Sequence, residues 1–232
     1  MNRNMRDFIK AARELGPEHY VEIKKPLDPY LEIGVIQAKL ATQGKYPVIY
    51  CPEVEGSKLP LVTNLIASFE LAALGLGFDA KRMTREEIDG AVRHKVASKV
   101  PPAWVPASEA PVKDVKLLED KVDLSLLPIL HQSELDAGKY IGSAVTISRW
   151  PDTGEVNAGI YRHLLMGKDL LGCMINPGND GAYIARRYAE LDQPMEVALV
   201  IGHNTALIQA AQARQMVELD LVGGYLGEPL EV

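Results

Sequence analysis

The chain has 232 residues, of which 47% are hydrophobic and 24% charged, and its formal net charge is -6 at pH 7. These ordinary globular values exclude disordered, collagen-like and coiled-coil proteins, and the acidic balance argues against a general nucleic-acid binder. No apolar run approaches the ~18 residues of a membrane span, and the N-terminus lacks a signal peptide's apolar core, so we expect a cytoplasmic protein. We expect the two cysteines, Cys51 and Cys173, to be reduced core thiols, because two are too few for a disulfide framework.

The first hundred residues combine helices with short strands. Apolar stripes predict helices over 8–15 and 31–40, and short apolar runs predict strands at 48–50 and 61–62. Thr84 and Glu87 form a capping-box pattern that predicts a helix reaching about Lys99. Four prolines then fall within 100–112, a density that neither a helix nor a central strand tolerates. We therefore expect an N-terminal α/β domain over 1–105 and a second domain over 106–232.

The second domain has an α+β pattern. Turn chemistry at 151–154 and 167–169 separates apolar runs, which predicts a hairpin of strands 141–150 and 155–163 and a further strand at 170–175. A helix over 182–191, a buried strand at 197–201 and a helix from Asn204 or Thr205 to about Met216 follow. This order of strands and helices favours a mainly antiparallel sheet in the second domain.

Two polar residues interrupt a strand that otherwise resembles a protein core. Asn157 could be an oxygen ligand, and Arg162 offers the donor fork that suits a carboxylate or phosphate. Their odd separation places them on opposite faces of a regular strand, so a shared site requires a bend, which we expect at Gly159. The alternative is a surface hairpin with Arg162 in a salt bridge.

Two further candidates lie in a loop and near the C-terminus. The loop 176–181 precedes a helix and could present backbone N–H groups to an anion, with Asn179 adding an oxygen, or it could be a turn capped by Asp180. Glu218 could ligate a hard cation, or it could be a solvent-facing helix residue. The histidines lack the spacing of a zinc site.

An ordered set of segments resembles the UbiD-type decarboxylases, and most closely their phenolic-acid branch. The segments are RDF at 6–8, PLDPYLEI at 26–33, LPILH at 127–131, TISR at 146–149, NAGIYR at 157–162, GKD at 167–169, ELDLVGG at 218–224 and GEP at 227–229. No single segment is decisive, but together they span nearly the whole chain in order. The resemblance implies reversible decarboxylation of aromatic or unsaturated acids, and a split β-barrel in the second domain that binds prenylated FMN.

The resemblance also assigns residues. It implies a divalent cation, Mn²⁺ or Mg²⁺, held by Asn157 and Glu218, with Asn179 where many members have a histidine, and a K⁺ ion beside it. Arg162 matches the arginine that contacts the substrate carboxylate and the catalytic acid. The implied cofactor contacts are Ser143, Ile160, Tyr161, Arg162, Met174, Ile175, Asn176, Gly178 and Asn179.

The resemblance further implies a flavin prenyltransferase as cofactor supplier, a small aromatic acid as substrate and a homo-oligomeric full-length protein. Family members are about twice as long, and their proton-donating carboxylates lie beyond the matched part. We therefore interpret the chain as the N-terminal and flavin-binding portion of such an enzyme, inactive by itself. The alternatives are a catalytically silent flavin- or metallophosphate-binding module or subunit, and a plain FMN-binding split barrel, which would need no Asn–Glu cation site.

Overall fold

The computed structural model describes residues 4–213 and 217–232. Helices and strands are mixed along the chain. The α-helices are α1 (Met5–Leu15), α2 (Glu32–Ala41), α3 (Phe69–Gly75), α4 (Arg85–Ala97), α5 (Asp180–Glu190), α6 (Thr205–Ala210) and α7 (Glu218–Leu226). Within the described ranges, none of these helices is long and apolar enough to cross a membrane.

The described strands form three sheets of three strands each. The first contains β1 (Tyr20–Glu22), β2 (Val48–Cys51) and β3 (Leu61–Thr63), in the order β1-β2-β3. The second has the order β4-β7-β8, from β4 (Tyr140–Ile141), β7 (Arg162–Leu165) and β8 (Leu171–Met174). The third has the order β6-β5-β9, from β5 (Val145–Arg149), β6 (Val156–Ile160) and β9 (Ala198–Val200). The pairing in the second and third sheets is antiparallel, as the sequence predicted.

The N-terminal elements pack as the apolar stripes predicted. Phe8 and Ala12 of α1 are fully buried against Val48 and Leu71. The capping box is present, because Thr84 and Glu87 each accept a backbone N–H from the other. These side-chain caps satisfy N–H groups that the first helical turn leaves free.

The proline-dense segment is extended and pairs with the C-terminus. Ala103 donates its N–H to the Leu230 carbonyl at 2.8 Å and accepts the Val232 N–H at 2.9 Å. Prolines are compatible with this short edge pairing because it uses the N–H groups of the residues between them. The last residues of the chain are thereby fixed beside the start of the second half.

Two predicted strands are each divided between two sheets. The predicted strand 141–150 forms β4 and β5, and the predicted strand 155–163 forms β6 and β7 with a break at Tyr161. The expected bend at Gly159 is therefore wrong in position, since Gly159 stays within β6. The break lets the chain pass from the third sheet into the second.

Three other expectations are corrected. The predicted buried strand at 197–201 is the short strand β9, and Val197 and Ile201 are about half exposed because β9, among the described strands, pairs with β5 alone. Cys51 is buried, but Cys173 is exposed on β8, the edge strand of its sheet. Asn204 caps α6, which ends at Ala210, and Met216, where we expected that helix to end, lies outside the described residues.

Candidate functional site

Glu218 begins helix α7 and is the most buried carboxylate of the candidate site, with 3% of its surface exposed. Its Oε1 accepts a hydrogen bond from Asn157 Nδ2 at 3.3 Å, and its Oε2 accepts from the Ala158 N–H at 3.2 Å. Burial raises the pKa of Glu218, which two backbone hydrogen bonds oppose. Among the described residues no cation pairs with it. A buried carboxylate held only by neutral donors is a suitable ligand for an added cation.

Asn157 supplies the second oxygen of this pair. The residue is 7% exposed, and its Oδ1 has no hydrogen-bond partner among the described residues. A buried amide oxygen without a partner is costly unless a ligand satisfies it. The orphaned Oδ1 beside the buried Glu218 carboxylate therefore fits a hard divalent cation. In the described part of the chain, no three His, Cys, Asp or Glu residues cluster to form a complete protein cage.

Close packing places Glu218 against strand β6. Helix α7 contacts β6 and α4. A Cβ on Gly223 would lie 2.2 Å from the Val100 carbonyl oxygen, and one on Gly224 would lie 2.6 Å from the Lys95 carbonyl oxygen. Only glycines permit this approach of α7 to the end of α4 and the chain beyond it. The ELDLVGG segment thus combines the carboxylate with the two residues that allow its helix to dock.

A buried polar layer continues from Asn157 along the same face of the third sheet. Ser148 pairs with Asn157, and Thr146 pairs with Gly159, so their side chains share one face. The opposite face carries the apolar core residues Val145 and Ala158. Thr146 and Ser148 are 2% and 4% exposed, values that would suit a core. Buried hydroxyls on this face make the interior of the fold polar next to the Asn157–Glu218 pair.

His163 joins this layer from the second sheet. Its Nε2 lies 3.5 Å from Thr146 Oγ1, so the contact links β7 to β5. His163 is 3% exposed, and burial lowers its pKa below the ordinary value for histidine. The neutral His163 ring is therefore buried between the second and third sheets.

Tyr161, at the break between the sheets, fixes the start of helix α5. Its hydroxyl accepts the Gly181 N–H at 3.1 Å, and the ring is 8% exposed. A Cβ on Gly159 would lie 2.8 Å from the Tyr161 hydroxyl oxygen, and one on Gly181 would lie 2.4 Å from it. The ring thus fills space that two glycines leave open, and it couples the start of helix α5 to strand β6.

Arg162 begins β7 and is 54% exposed, with its cross-strand partner Met174 on β8 also exposed. Its Nη2 donates to Asp136 Oδ1 at 3.2 Å, and its guanidinium carbon lies 4.5 Å from the centre of the Tyr140 ring. The alternative interpretation, a salt-bridged arginine on a hairpin, is therefore correct in its geometry. The pairing with a single nitrogen still leaves donors of the fork for a ligand.

The predicted loop residues lie at the surface. Asn176, Gly178 and Asn179 are exposed, and Gly178 has φ of 93°, a left-handed conformation that favours glycine. Asn179, and not Asp180, is the N-cap of α5, but its side chain makes no capping hydrogen bond. Within the described ranges, no hydrogen bond joins its side chain to Asn157 or Glu218. Asn179, the expected third metal ligand, is thus exposed, and its side chain neither caps α5 nor bonds to the Asn157–Glu218 pair.

The remaining predicted contacts are dispersed. Ser143 is exposed before β5, and Ile160 and Ile175 are half-buried at the ends of β6 and β8. Sequence reasoning missed the polar interior, although its signal was present: Thr146 and Ser148 alternate with apolar residues along a strand. It also missed Asp136 and Tyr140, whose contact with Arg162 depends on folding across separate strands.

Family models match almost the whole chain. The model of the 3-octaprenyl-4-hydroxybenzoate carboxy-lyase N-terminal domain, UbiD_N, matches residues 16–89. The model of the 3-octaprenyl-4-hydroxybenzoate carboxy-lyase Rift-related domain, UbiD, matches residues 104–232, which is more than half of the chain. The second match contains the Asn157–Glu218 pair and Arg162.

Curated relatives match over the same extent. The anhydromevalonate phosphate decarboxylase of Methanosarcina mazei is 31% identical, over 98% of this chain and 49% of its own length. The phenolic acid decarboxylase of Sedimentibacter hydroxybenzoicus is 25% identical over 99% of this chain and 49% of its own. The ferulic acid decarboxylase 1 of Saccharomyces cerevisiae is 30% identical over 98% and 48%. The chain therefore spans about half the length of these relatives.

Solved structures share the fold. An evolved dimeric form of the UbiD-class enzyme HmfF from Pelotomaculum thermopropionicum, in complex with prFMN, superposes with a TM-score of 0.85 at 29% identity, covering 99% of this chain and 52% of that one. The closed form of vanillic acid decarboxylase from Sedimentibacter hydroxybenzoicus has a TM-score of 0.91 at 24% identity, covering 100% and 50%. At 24% sequence identity, the likeness to vanillic acid decarboxylase supports the shared fold alone. With both domain models matched in order, this chain belongs to the UbiD carboxy-lyase family.

Proposed function

We propose that the complete protein reversibly decarboxylates an aromatic or α,β-unsaturated carboxylic acid with prenylated FMN, and that this chain contributes the cofactor and metal site. The observation that carries the proposal is the buried Asn157–Glu218 pair, with one orphaned oxygen and one carboxylate that no described cation neutralises. The names of the relatives include phenolic, ferulic and anhydromevalonate phosphate decarboxylases, so the substrate is proposed at the level of an unsaturated acid.

The donor set fits a metal-bridged phosphate. Asn157 and Glu218 would hold Mn²⁺ or Mg²⁺ through oxygen atoms, and the cofactor phosphate would complete the coordination. Asn179, on the exposed loop, would be a third ligand in place of the family's histidine. A K⁺ ion beside this site and a flavin prenyltransferase that supplies the cofactor remain part of the proposal, as does a homo-oligomeric full-length protein.

Arg162 would orient the substrate. Loss of CO₂ from an sp² carbon is difficult because it leaves an unstable carbanion, and the bound cofactor supplies the electron sink. The free part of the Arg162 donor fork would hold the substrate carboxylate, while Tyr161, Ile160 and Met174 would lie along the flavin. The buried polar layer would exclude bulk water from the interior beside the site. The proton for the product carbon would come from a carboxylic acid outside these 232 residues.

The domain arrangement is also part of the proposal. Residues 1–105 would form the N-terminal α/β domain and 106–232 the flavin-binding domain. The second and third sheets, joined through the Tyr161 break and the contact between Thr146 and His163, would act as the two halves of a split barrel. Asn157 on β6 and Arg162 on β7 would then lie on consecutive strands on either side of the break, with Glu218 brought to Asn157 by helix α7.

Decarboxylation by the complete protein tests the proposal. The complete reading frame, coexpressed with a flavin prenyltransferase and supplied with Mn²⁺ and K⁺, should release CO₂ from at least one acid in a panel of hydroxybenzoic, cinnamic and aliphatic unsaturated acids. The 232-residue chain under the same conditions should release none. Binding of prenylated FMN without turnover of any acid would favour the silent module instead, and robust turnover by the short chain would show that it contains the proton donor.

A further inference from the structure

Two side chains contact the Arg162 guanidinium, and the family match assigns neither of them a role. One segment, residues 133–141, provides both groups that contact its guanidinium: Asp136 by a hydrogen bond and Tyr140 by its ring face. We infer that Asp136 and Tyr140 are positioning residues that hold the Arg162 fork in the orientation needed to receive a carboxylate. This inference rests on the proposed function, in which Arg162 orients the substrate.

The Asp136 carboxylate is itself fixed. Its Oδ2 accepts the Ser133 N–H at 3.2 Å, while the Asp136 N–H returns to the Ser133 carbonyl at 3.0 Å. Its side chain is 22% exposed, against 54% for Arg162. A short turn therefore holds one carboxylate oxygen and leaves the other for Arg162. A constrained acceptor of this kind orients its donor better than a mobile surface carboxylate would.

Tyr140 restrains the guanidinium in the remaining direction. Its backbone is anchored on both sides, because its N–H donates to the Leu130 carbonyl at 2.9 Å and Tyr140 pairs with Leu164 across β4 and β7. The ring lies 4.5 Å from the guanidinium carbon of Arg162, within the range of a cation–π contact. The hydrogen bond fixes one edge of the fork, and the ring fixes the plane of the group.

The contact pattern favours positioning over competition. A carboxylate that blocked Arg162 against substrate would use two guanidinium nitrogens in the parallel fork geometry. Asp136 contacts only Nη2, and among the described residues no acceptor is recorded for Nε or Nη1. Nη2 carries two hydrogens, one on each two-nitrogen edge of the guanidinium, so Asp136 holds one edge and leaves the other open. A substrate carboxylate can bind the open edge without displacing Asp136.

The first test measures the orientation of Arg162 without any turnover. In the ¹⁵N-labelled chain, the Arg162 Nε–Hε signal is assigned by its loss in Arg162→Lys. Asp136→Asn and Tyr140→Leu should move this signal toward that of free arginine and speed its exchange with water. Tyr140→Phe keeps the ring and should retain the signal. Glu134→Gln removes the same charge from the same loop without touching Arg162, so its signal should match that of the wild type.

The second test measures the consequence in the complete protein. A positioning role predicts that Asp136→Asn lowers kcat by about tenfold or more, because small misplacements are costly, with KM changed less than about twofold. Glu134→Gln should retain the wild-type values. An unchanged Arg162 signal in Asp136→Asn would overturn the inference, and so would a lowered KM with unchanged kcat, which would identify Asp136 as a competitor. If the wild type has no activity, the proposed function fails, and the Arg162 signal alone decides the inference.

Discussion

Gly181→Ala tests the packing that fixes helix α5 to strand β6. The added Cβ would lie 2.4 Å from the Tyr161 hydroxyl oxygen and 2.8 Å from its Cζ, and neither distance is tolerated. The ring cannot retreat freely, because it is buried and the same ring atoms also lie close to Gly159. Either the ring or the start of the helix must move, and the hydrogen bond from the Gly181 N–H to Tyr161 is strained or lost.

The expected magnitude follows from three contributions. Overpacking costs about 1–3 kcal/mol and loss of the hydrogen bond about 0.5–1.5 kcal/mol. The helix propensity of alanine returns about 1 kcal/mol at most, and less in the first turn. We expect Gly181→Ala to lower the free energy of unfolding by about 0.5–4.5 kcal/mol, the range that these three contributions span together.

Gly90→Ala is the matched control. Gly90 lies inside helix α4, and an added Cβ there has no atom within 4 Å. The same substitution should therefore raise the stability by about 0.5–1 kcal/mol. Urea unfolding followed by circular dichroism measures both variants, and the midpoints are comparable if the slopes agree. A Gly181→Ala protein as stable as Gly90→Ala would refute the packing argument.

Three further predictions concern the site. Glu218→Gln should leave the stability of the cofactor-free protein unchanged or raise it by up to about 1 kcal/mol, because it removes an uncompensated buried charge; a loss above about 2 kcal/mol in urea unfolding would contradict this. Because the pKa of His163 is lowered by burial, the folded state binds its proton less readily than the unfolded state, so stability should fall as the pH drops below about 6.5. Urea midpoints between pH 7.5 and 5.5 should show a smaller decline in His163→Gln. Arg162→Lys should lose at least about nine-tenths of the complete protein's turnover, since lysine lacks the planar fork, and full turnover would show that Arg162 acts only as a point charge.

Local sequence patterns were sufficient for most of the elements. Three of these elements depend on neighbours only a few residues apart: the capping box at Thr84, the apolar stripe that begins at Phe8 and the turn at 151–154. Such short-range determinants act largely independently of the tertiary fold. The antiparallel hairpin followed from the same kind of information.

The sheet assignments needed information that local pattern does not contain. The residues 155–163 look like one strand, because the nonpolar run continues through Tyr161, yet they belong to two sheets. At the break, the buried Tyr161 ring contacts Gly181, which is twenty residues away in the chain. We expected a shared site for Asn157 and Arg162 to require an irregular strand; the structure has a break between them, at Tyr161 and not at Gly159.

In the candidate site, too, local sequence was not enough to identify the contacts that the fold makes. Glu218 and Asn157 are separated by 61 positions, and their own sequence contexts were equally compatible with a surface helix and an edge strand. The resemblance brought the two residues together, and the structure places their side chains in contact. The sequence did not indicate Asp136, because this residue is singled out by its contact with Arg162, which is 26 positions away.

The Mn²⁺ affinity of the complete protein tests the central claim most directly. Binding is measured by electron paramagnetic resonance of free Mn²⁺ in the presence of saturating FMN, whose phosphate completes the proposed coordination. We expect Glu218→Gln to weaken Mn²⁺ binding by at least about tenfold, which corresponds to about 1.4 kcal/mol. Asp220→Asn, which removes an equal charge from the same helix turn, should bind Mn²⁺ as the wild type does. Equal Mn²⁺ affinity in the wild type and Glu218→Gln would contradict the proposed cation site.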